Sequence, residues 1–195
     1  MKQFTRFYKA GVFSVLATLM VLISPSCQYE YDSPNPGIIQ IRLKTISNNI
    51  PFTELNNFEI EFSQIEAVRK DGSRASIYED LRAIDAKPVG INTLDFRARD
   101  SVMIIGETYV PPEDYRGIKM TISPGRAVTL RGYQKINVIK PEGFNSLLII
   151  PSNYSVQEHH KTIITVELNL DSTLVKGAFD YTFVPYYNIS SVINN

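Results

Sequence analysis

Residues 162–170 read Thr-Ile-Ile-Thr-Val-Glu-Leu-Asn-Leu, and this stretch decides the fold class. Its apolar side chains recur at every second position, at Ile164, Val166, Leu168 and Leu170. Successive side chains of a β-strand point to opposite faces of a sheet, so this spacing predicts a strand with one buried face. The row is therefore expected to lie in the core of a sheet protein.

The same period of two recurs from Gly37 onward, in segments bounded by Gly, Pro, Asn and Asp. We predict strands at residues 39–43, 58–62, 65–68, 75–78, 91–96, 102–110, 115–122, 126–132, 135–139, 147–150, 162–170 and 179–189. Short segments at this spacing are typical of an all-β, antiparallel two-sheet β-sandwich, immunoglobulin-like or transthyretin-like, with roughly seven to nine strands. The length of 195 residues fits a single domain of this class.

Several local features refine this prediction. The apolar parity changes around Ser63-Gln64, which predicts a β-bulge. Lys70-Asp71-Gly72-Ser73 predicts a tight hairpin turn, because Asp-Gly supplies the positive φ values that such turns need. Residues 147–150 do not alternate, which indicates a strand covered on both faces. Short helical turns are expected within residues 76–86 and 171–176, with Asp171 or Ser172 as the cap of the second.

The first 26 residues have the character of an export signal. Lys2, Arg6 and Lys9 precede an apolar run from residue 10 to residue 23, and this region has no acidic side chain. As a helix the run spans only about 21 Å, less than the ~30 Å hydrocarbon core of a bilayer. A signal peptide at residues 1–26, removed after export, is therefore favoured over a permanent membrane helix.

Cys27, the only cysteine in the chain, follows Ser24-Pro25-Ser26 directly after this run. The arrangement resembles a bacterial lipobox, which implies that Cys27 is acylated and becomes the mature N-terminus. A plain secretory signal that leaves a free thiol is the alternative. Residues 27–37 are then a lipidated cysteine and a flexible tether, because two prolines and a glycine disfavour regular structure there. Residues 38–195 are predicted to form the sandwich without a disulfide.

The anchor predicts a location in the cell envelope. Two or three fatty chains such as palmitate hold a protein on a bilayer, so the membrane becomes a fixed partner. Glu30 and Asp32, close behind the cysteine, resemble the acidic tract that directs Bacteroidota-type lipoproteins to the surface of the outer membrane. A surface-exposed and a periplasm-facing position on the outer membrane both stay open.

Residues 105–120 read Ile-Gly-Glu-Thr-Tyr-Val-Pro-Pro-Glu-Asp-Tyr-Arg-Gly-Ile-Lys-Met. This segment resembles the central signature of an uncharacterised bacterial lipoprotein domain family, in which a Leu-Gly-Glu stretch, a Pro-containing turn, a Tyr and an Ile-Arg-Leu strand follow one another. Leu94-Asp95-Phe96 and Phe183-Val184-Pro185 agree in order with flanking strands of that family, so the resemblance covers residues 37–192. It implies an exported β-sandwich of unknown function and transfers no active residue. Tyr115, directly after the turn, is either a tyrosine corner bonded to the backbone or a plain core residue.

No residue cluster predicts a catalytic centre, a cofactor or a bound metal. The two histidines, His159 and His160, are neighbours whose side chains point to opposite sides of an extended chain, so they do not readily share one metal ion. We expect them to be an exposed pair in a loop at residues 152–161.

Glu59 and Glu61 are the most suggestive carboxylate pair. They lie two residues apart and therefore share one strand face, opposite an apolar row. We expect a solvated face, with Arg42 and Lys44 as cross-strand partners.

Composition narrows the range of partners. Twenty Lys and Arg balance twenty Asp and Glu, so no net field attracts nucleic acid. Eleven tyrosines include Tyr181, Tyr186 and Tyr187, and Tyr186 and Tyr187 must face opposite ways, so one of them can form a contact patch. We predict a non-catalytic, lipid-anchored module for binding, adhesion or assembly, with an unknown protein or glycan ligand. A fibre subunit completed by a partner strand and a carbohydrate-active enzyme are the alternatives.

Overall fold

Strands follow one another along almost all of the described chain. The computed structural model describes residues 35–49, 55–79, 89–92, 102–129, 135–136 and 138–195. The strands within these ranges are β1 (Gly37–Ile46), β2 (Leu55–Arg69), β3 (Arg74–Glu79), β4 (Val89–Asn92), β5 (Val102–Val110), β6 (Asp114–Thr129), β7 (Lys135–Ile136), β8 (Val138–Ile139), β9 (Leu147–Ser155), β10 (Lys161–Asn169), β11 (Leu174–Lys176), β12 (Tyr181–Phe183) and β13 (Tyr187–Asn194). A helical turn, α1 (Leu170–Thr173), follows β10, and no helix in these ranges is long and apolar enough to cross a membrane.

Sheet 1 has the strand order β13-β10-β1-β5. Its central strands β1 and β10 run parallel, with Ile41 opposite Ile164 and Leu43 opposite Val166. The outer strands β5 and β13 pair antiparallel with them. Sheet 1 thus departs from the predicted antiparallel arrangement at its central pair, because a parallel pair needs a long crossover and the chain from β2 to β9 supplies it.

Sheet 2 has the strand order β3-β2-β6-β7, with β4 also pairing with β2 and β9 also pairing with β6. The long strands β2 and β6 run antiparallel from Leu55 opposite Thr129 to Arg69 opposite Tyr115. Sheets 1 and 2 pack together through one buried cluster, which confirms the predicted two-sheet sandwich. The described residues hold thirteen strands, more than the seven to nine predicted, because five of the thirteen are segments of two to four residues.

The core lies between the inner faces of the two main sheets. The predicted row of Ile164, Val166, Leu168 and Leu170 is 0 % exposed at each position. Phe58 and Ile60 of β2 meet this row from sheet 2 and are equally buried. The alternation in residues 162–170 therefore marks the inner face of β10, continued by the first residue of α1.

A small sheet 3, in the order β11-β12-β8, continues the same core. Leu174, Tyr181 and Phe183 belong to the buried cluster. The Phe183 ring lies 6.1 Å from the Phe58 ring, between centroids. Sheet 3 is joined to α1, because Val184 N–H donates to the carbonyl oxygen of Thr173 at 2.9 Å.

The predicted bulge and hairpin are both confirmed. The register of β2 against β6 shifts between Phe62 and Gln64. At the hairpin, Arg69 N–H donates to the carbonyl oxygen of Ser73 at 2.9 Å, and Gly72 has φ of +93°. That φ lies in the region that favours glycine.

Three local predictions need correction. Residues 76–79 belong to β3 and are not helical, and the rest of the helical turn predicted at 76–86 lies outside the described residues. In β9, Ile150 is 4 % exposed but Ile149 is 60 % exposed, so this strand is covered on one face only. Residues 152–155 continue β9, and the predicted loop is limited to 156–160. In each case pairing with a neighbouring strand overrides the local pattern.

The second helical turn is present, but one residue earlier than predicted and capped differently. The side chain of Asn169 accepts a hydrogen bond from Ser172 N–H at 3.2 Å, as an N-cap does. Asp171, a predicted cap, instead accepts from the Ser47 hydroxyl at 2.7 Å and so holds the chain that leaves β1.

Glu66 and Lys119 form a buried ion pair between β2 and β6. Lys119 Nζ lies 2.5 Å from Glu66 Oε2, and the two residues are 7 % and 9 % exposed. Lys119→Met leaves this carboxylate with only the half-exposed Arg74, whose Nη1 lies 3.8 Å from Glu66 Oε2, so the free energy of unfolding should fall by about 3 kcal/mol in urea titration, the low end for a broken buried pair. The double variant Lys119→Met/Glu66→Leu should recover most of that loss, whereas a single variant as stable as the wild type would contradict this view.

Candidate functional site

The sandwich has two ends, one where β1 begins and one where β1 finishes, and their surfaces differ. At the N-terminal end, the chain enters β1 at Gly37 beside the loops 111–113 and 156–160. These two loops are joined, because Val156 N–H donates to the carbonyl oxygen of Glu113 at 2.9 Å. At the opposite end, called the distal end, β1 finishes beside α1. The ten residues of β1 separate the two ends by about 33 Å.

A tyrosine corner builds the N-terminal end of sheet 2. The Tyr115 hydroxyl donates to the carbonyl oxygen of Pro111 at 2.9 Å, so of the two alternatives left open by the sequence the tyrosine corner is the correct one. Its ring stacks on Tyr154 with a centroid separation of 5.4 Å. The Tyr154 hydroxyl donates to the carbonyl oxygen of Gly117 at 3.3 Å. Burial raises the pKa of both hydroxyls, so both stay protonated and serve as structural donors.

A cleft lies on β6 and β9 beside these tyrosines, where a β-bulge interrupts the pairing of the two strands. The register shifts between Tyr115 and Gly117, and Gly117 lies opposite Pro151. A Cβ on Gly117 would lie 2.6 Å from the carbonyl oxygen of Ile150, so the close approach of the two strands requires glycine. This bulge cleft has a volume of about 380 Å³ and is lined by Tyr115, Tyr154 and five polar residues, Lys70, Asp114, Arg116, Asn153 and Ser155.

The polar groups of the bulge cleft are only partly paired with one another. Asp114 Oδ1 accepts from the Ser155 hydroxyl at 2.5 Å, and Lys70 Nζ lies 3.7 Å from Asp114 Oδ2. The side chains of Arg116 and Asn153 have no hydrogen-bond or ion-pair partner among the described residues. The cleft thus presents two cations and an amide around a single carboxylate. Hydrolysis of glycosides generally uses two carboxylates, and this lining supplies one.

Five exposed apolar side chains lie in sheet 3 or in the segments next to its strands: Ile139 (45 %), Val175 (51 %), Phe179 (96 %), Val184 (44 %) and Tyr186 (56 %). We call these residues the distal apolar surface. Apolar side chains exposed as a group commonly mark a contact surface, whereas a single exposed one needs no explanation.

The topology of sheet 3 explains this exposure. Thr182 pairs with Val175 on one side and Ile139 on the other, so these three side chains share the outer face of the sheet. Phe179 lies in the turn at residues 177–180, which is closed by a hydrogen bond from Gly177 N–H to the carbonyl oxygen of Asp180 at 2.8 Å. The strand predicted at 179–189 is therefore wrong as a single element: it is divided into β12 of sheet 3 and β13 of sheet 1, and Phe179 lies in the turn before β12, clear of the core.

A polar network covers part of the outer face of sheet 1. Arg42 Nε donates to Gln40 Oε1 at 2.7 Å, the Gln40 amide donates to Glu107, and Lys161 Nζ lies 3.0 Å from Glu107. The Gln40 amide, and next the Lys161 ammonium, lower the pKa of the Glu107 carboxyl. Because these groups satisfy one another, the network holds sheet 1 together and offers fewer free donors than the bulge cleft.

The predicted histidine pair lies in an exposed loop. His159 and His160 are both exposed, and His160 Nδ1 lies 2.6 Å from the carbonyl oxygen of Glu158. Within the part of the chain that the structure describes, no three His, Cys, Asp or Glu side chains form a group that could hold a metal ion.

The expected environment of Glu59 and Glu61 is correct in part. Phe58 and Ile60 are buried, and the two carboxylates lie on the other face of β2. Glu59 accepts from the Asn57 amide at 3.1 Å. The predicted cross-strand partners on β1 are wrong, because β1 and β2 lie in different sheets.

The C-terminal tyrosines separate as predicted. Tyr181 is part of the core, Tyr186 is exposed, and Tyr187 points inward with a buried hydroxyl whose pKa burial raises. Cys27 and residues 1–34, including the predicted signal peptide, lie outside the described residues.

Sequence reasoning missed Arg116, Asn153 and Phe179. The turn at Lys70 and the corner at Tyr115 carry recognisable patterns, but the bulge that brings Arg116 toward Asn153 depends on how β6 pairs with β9. For Phe179 the Gly and Asp in the segment Lys176-Gly177-Ala178-Phe179-Asp180 are a turn signal that places this residue at a tip.

Comparison with known proteins gives one match to a family. A family model described as a domain of unknown function, DUF4382, matches residues 41–185. No curated protein and no solved structure matches the chain. The matched range takes in most of both main sheets, the bulge cleft and the turn that carries Phe179. Because it covers well over half of the sequence, this chain belongs to the DUF4382 family, a domain of unknown function.

Proposed function

We propose that this protein is a non-catalytic, lipid-anchored cell-envelope protein of the Bacteroidota lipoprotein type, which binds a partner protein through its distal apolar surface. The observation that carries the proposal is the separation of the two ends. The chain comes from Cys27 into β1 at the N-terminal end, whereas the exposed apolar side chains lie at the other end. The segment from Cys27 to Gly37 reaches about 33 Å at most. Acylation of Cys27 would therefore keep the N-terminal end close to the outer membrane and leave the distal apolar surface free for a partner.

The chemistry of the distal apolar surface favours a protein over a glycan. Ile139, Val175 and Val184 are aliphatic and offer no hydrogen bonds to sugar hydroxyls. Phe179 protrudes from a turn and is 96 % exposed, which suits insertion into an apolar pocket. Aromatic side chains of this kind are enriched in the cores of protein interfaces and often dominate their energetics.

Assembly by strand addition is a second candidate function, because β13 is an edge strand of sheet 1 among the described residues. Its eight residues, Tyr-Asn-Ile-Ser-Ser-Val-Ile-Asn, include no charged residue and no proline. Charges and proline are the usual means of blocking an exposed edge, so such a strand accepts pairing with another chain. This would suit the subunit of a surface fibre.

The two candidates predict cross-links from different positions. Residues 28–195 contain no cysteine, so single substitutions to Cys at Phe179, Ile193 and Lys70 can each carry a photoreactive maleimide in intact cells. Binding through the distal apolar surface predicts a discrete protein adduct from position 179 and none from position 70. An adduct from position 193 alone would favour strand addition, and equal labelling from all three positions would contradict a defined surface.

Phe179→Ser should weaken binding to the cross-linked partner without changing the fold. Loss of an anchoring aromatic typically costs about 2 kcal/mol or more, which is a roughly 30-fold rise in Kd. The melting temperature should stay the same, because Phe179 is 96 % exposed and buries almost no surface within the domain. Titration of the purified partner measures the change, with Leu147→Ser, a partly exposed residue of sheet 2, as the control.

A further inference from the structure

We propose that the bulge cleft binds a phosphate group carried by a small polar molecule. The inference concerns the N-terminal end of the sandwich and is independent of partner binding at the distal end. It rests on three properties of the cleft: unpaired donors, a rigid frame and a size that exceeds phosphate itself.

The first property is the set of donors that lack a partner. Among the described residues, neither the Arg116 guanidinium nor the Asn153 amide is paired. Lys70 is 3.7 Å from Asp114 with a side chain 80 % exposed, so its ammonium can turn to a ligand at little cost. A guanidinium presents a planar fork of donors that matches phosphate oxygens, and an ammonium adds charge. Together these groups suit an anion that carries several hydrogen-bond acceptors.

The second property is the frame that positions these groups. Arg116 occupies the bulge itself, between Tyr115 and Gly117, whose backbone is fixed by close contact with β9. A Cβ on Gly72 would lie 3.3 Å from Arg116 Nη2, so the guanidinium rests against the hairpin turn. Beneath it Tyr115 and Tyr154 stack and bond to backbone carbonyls. A backbone fixed in this way does not itself have to be ordered when a ligand binds.

The third property is the size and polarity of the remaining space. The volume of about 380 Å³ falls within the range of small-molecule sites and is larger than a phosphate group needs. Asp114 lies in the same lining and already accepts from Ser155. Its other oxygen can accept from a hydroxyl or ammonium group on the body of the ligand. The ligand class is therefore an organic phosphate with a donor group beside the phosphate.

Two sources can supply this chemistry: a soluble phosphate monoester, or the diester headgroup of a lipid at the nearby membrane. Glycerol 3-phosphate represents the first and glycerophosphoethanolamine the second. Isothermal titration of each into the full-length chain, held in a phosphate-free neutral detergent, separates them. We expect saturable binding of at least one of these two compounds. Inorganic phosphate should bind more weakly, because it lacks the organic part that would contact Asp114.

Arg116→Gln should weaken that binding about tenfold or more, since it removes charge-assisted hydrogen bonds to the phosphate. Arg116→Lys should retain only part of the binding, because lysine keeps the positive charge but lacks the planar guanidinium that donates two parallel hydrogen bonds. Lys176→Gln removes an exposed cation from the distal hairpin and is the matched charge control. Arg116 is exposed and unpaired among the described residues, so its variants should melt like the wild type.

Each outcome bears directly on the proposal. Binding of the monoester alone supports a soluble ligand, and binding of the diester alone supports a headgroup. If neither compound binds at millimolar concentration, or if Arg116→Gln and Lys176→Gln weaken binding equally, the bulge cleft is not a phosphate site. A failure here leaves cross-linking at position 179 unaffected, so the two proposals are tested separately.

Discussion

Ile164→Asp is expected to unfold the domain. Ile164 lies at the centre of sheet 1, opposite Ile41 in β1 and opposite Val192 in β13. It is 0 % exposed, so the new carboxylate would be buried among apolar side chains without a partner. Burial of an unpaired charge and loss of the isoleucine contacts together cost more than about 4 kcal/mol, a large share of the 5 to 15 kcal/mol that stabilises a typical domain.

Thermal melting followed by circular dichroism measures this effect. The matched control is Ile104→Asp, which makes the same change in the same sheet at a residue 53 % exposed. The control should melt within a few degrees of the wild type, because its carboxylate stays in water. If Ile164→Asp also retained the wild-type melting curve, the inner face of β10 would not be the core of this fold.

The inner face of β10 was predictable because alternation is a local property of the sequence. A strand buried on one face needs an apolar residue at every second position, and residues 162–170 have that pattern whichever strands lie beside them. The Asp71-Gly72 turn is equally local, since positive φ at glycine depends on neighbours within a few residues.

Pairing between distant segments was not predictable in the same way. β1 and β10 are parallel and more than one hundred residues apart, and no local signal tells a parallel from an antiparallel neighbour. The apolar run at 147–150 resembles a strand covered on both faces. However, β9 pairs with β6 at one side of sheet 2, and Ile149 faces solvent. The composition of a strand reports its hydrophobicity but not what covers its second face.

The residues of the candidate sites also differ in whether a local sequence signal marks them. Tyr115 follows a Pro-containing turn, so its role as a corner could be anticipated from sequence order. Arg116 has no such mark, because its place in the bulge cleft depends on a register shift between two strands. Binding residues at bulges and turn tips are thus set by tertiary pairing, and single-sequence patterns that locate cores do not locate them.

The proposed lipid anchor makes the strongest prediction for the N-terminal region, since Cys27→Ser should abolish membrane attachment. Each buried methylene of a fatty chain contributes about 0.8 kcal/mol, so one chain holds a protein marginally and two hold it stably. Cys27 is the only thiol in the chain, so no other cysteine can take its place. We expect the wild type to sediment with membranes and to carry an acylated Cys27 as its first residue by mass spectrometry. The Cys27→Ser variant should lack the acyl mass and be recovered in the soluble fraction after a carbonate wash.

Ser26→Ala provides the control, because it keeps a small residue directly before the cysteine and should leave acylation intact. An unmodified thiol on the wild-type N-terminal peptide would contradict the anchor, as would equal sedimentation of the wild type and Cys27→Ser. The proposed anchor would also determine which end of the sandwich is available to partners. A tether of at most about 33 Å would hold the N-terminal end and its bulge cleft near the bilayer. Loss of the anchor should therefore reduce cross-linking from position 179 if the partner is itself bound to the membrane, while anion binding in the cleft should persist.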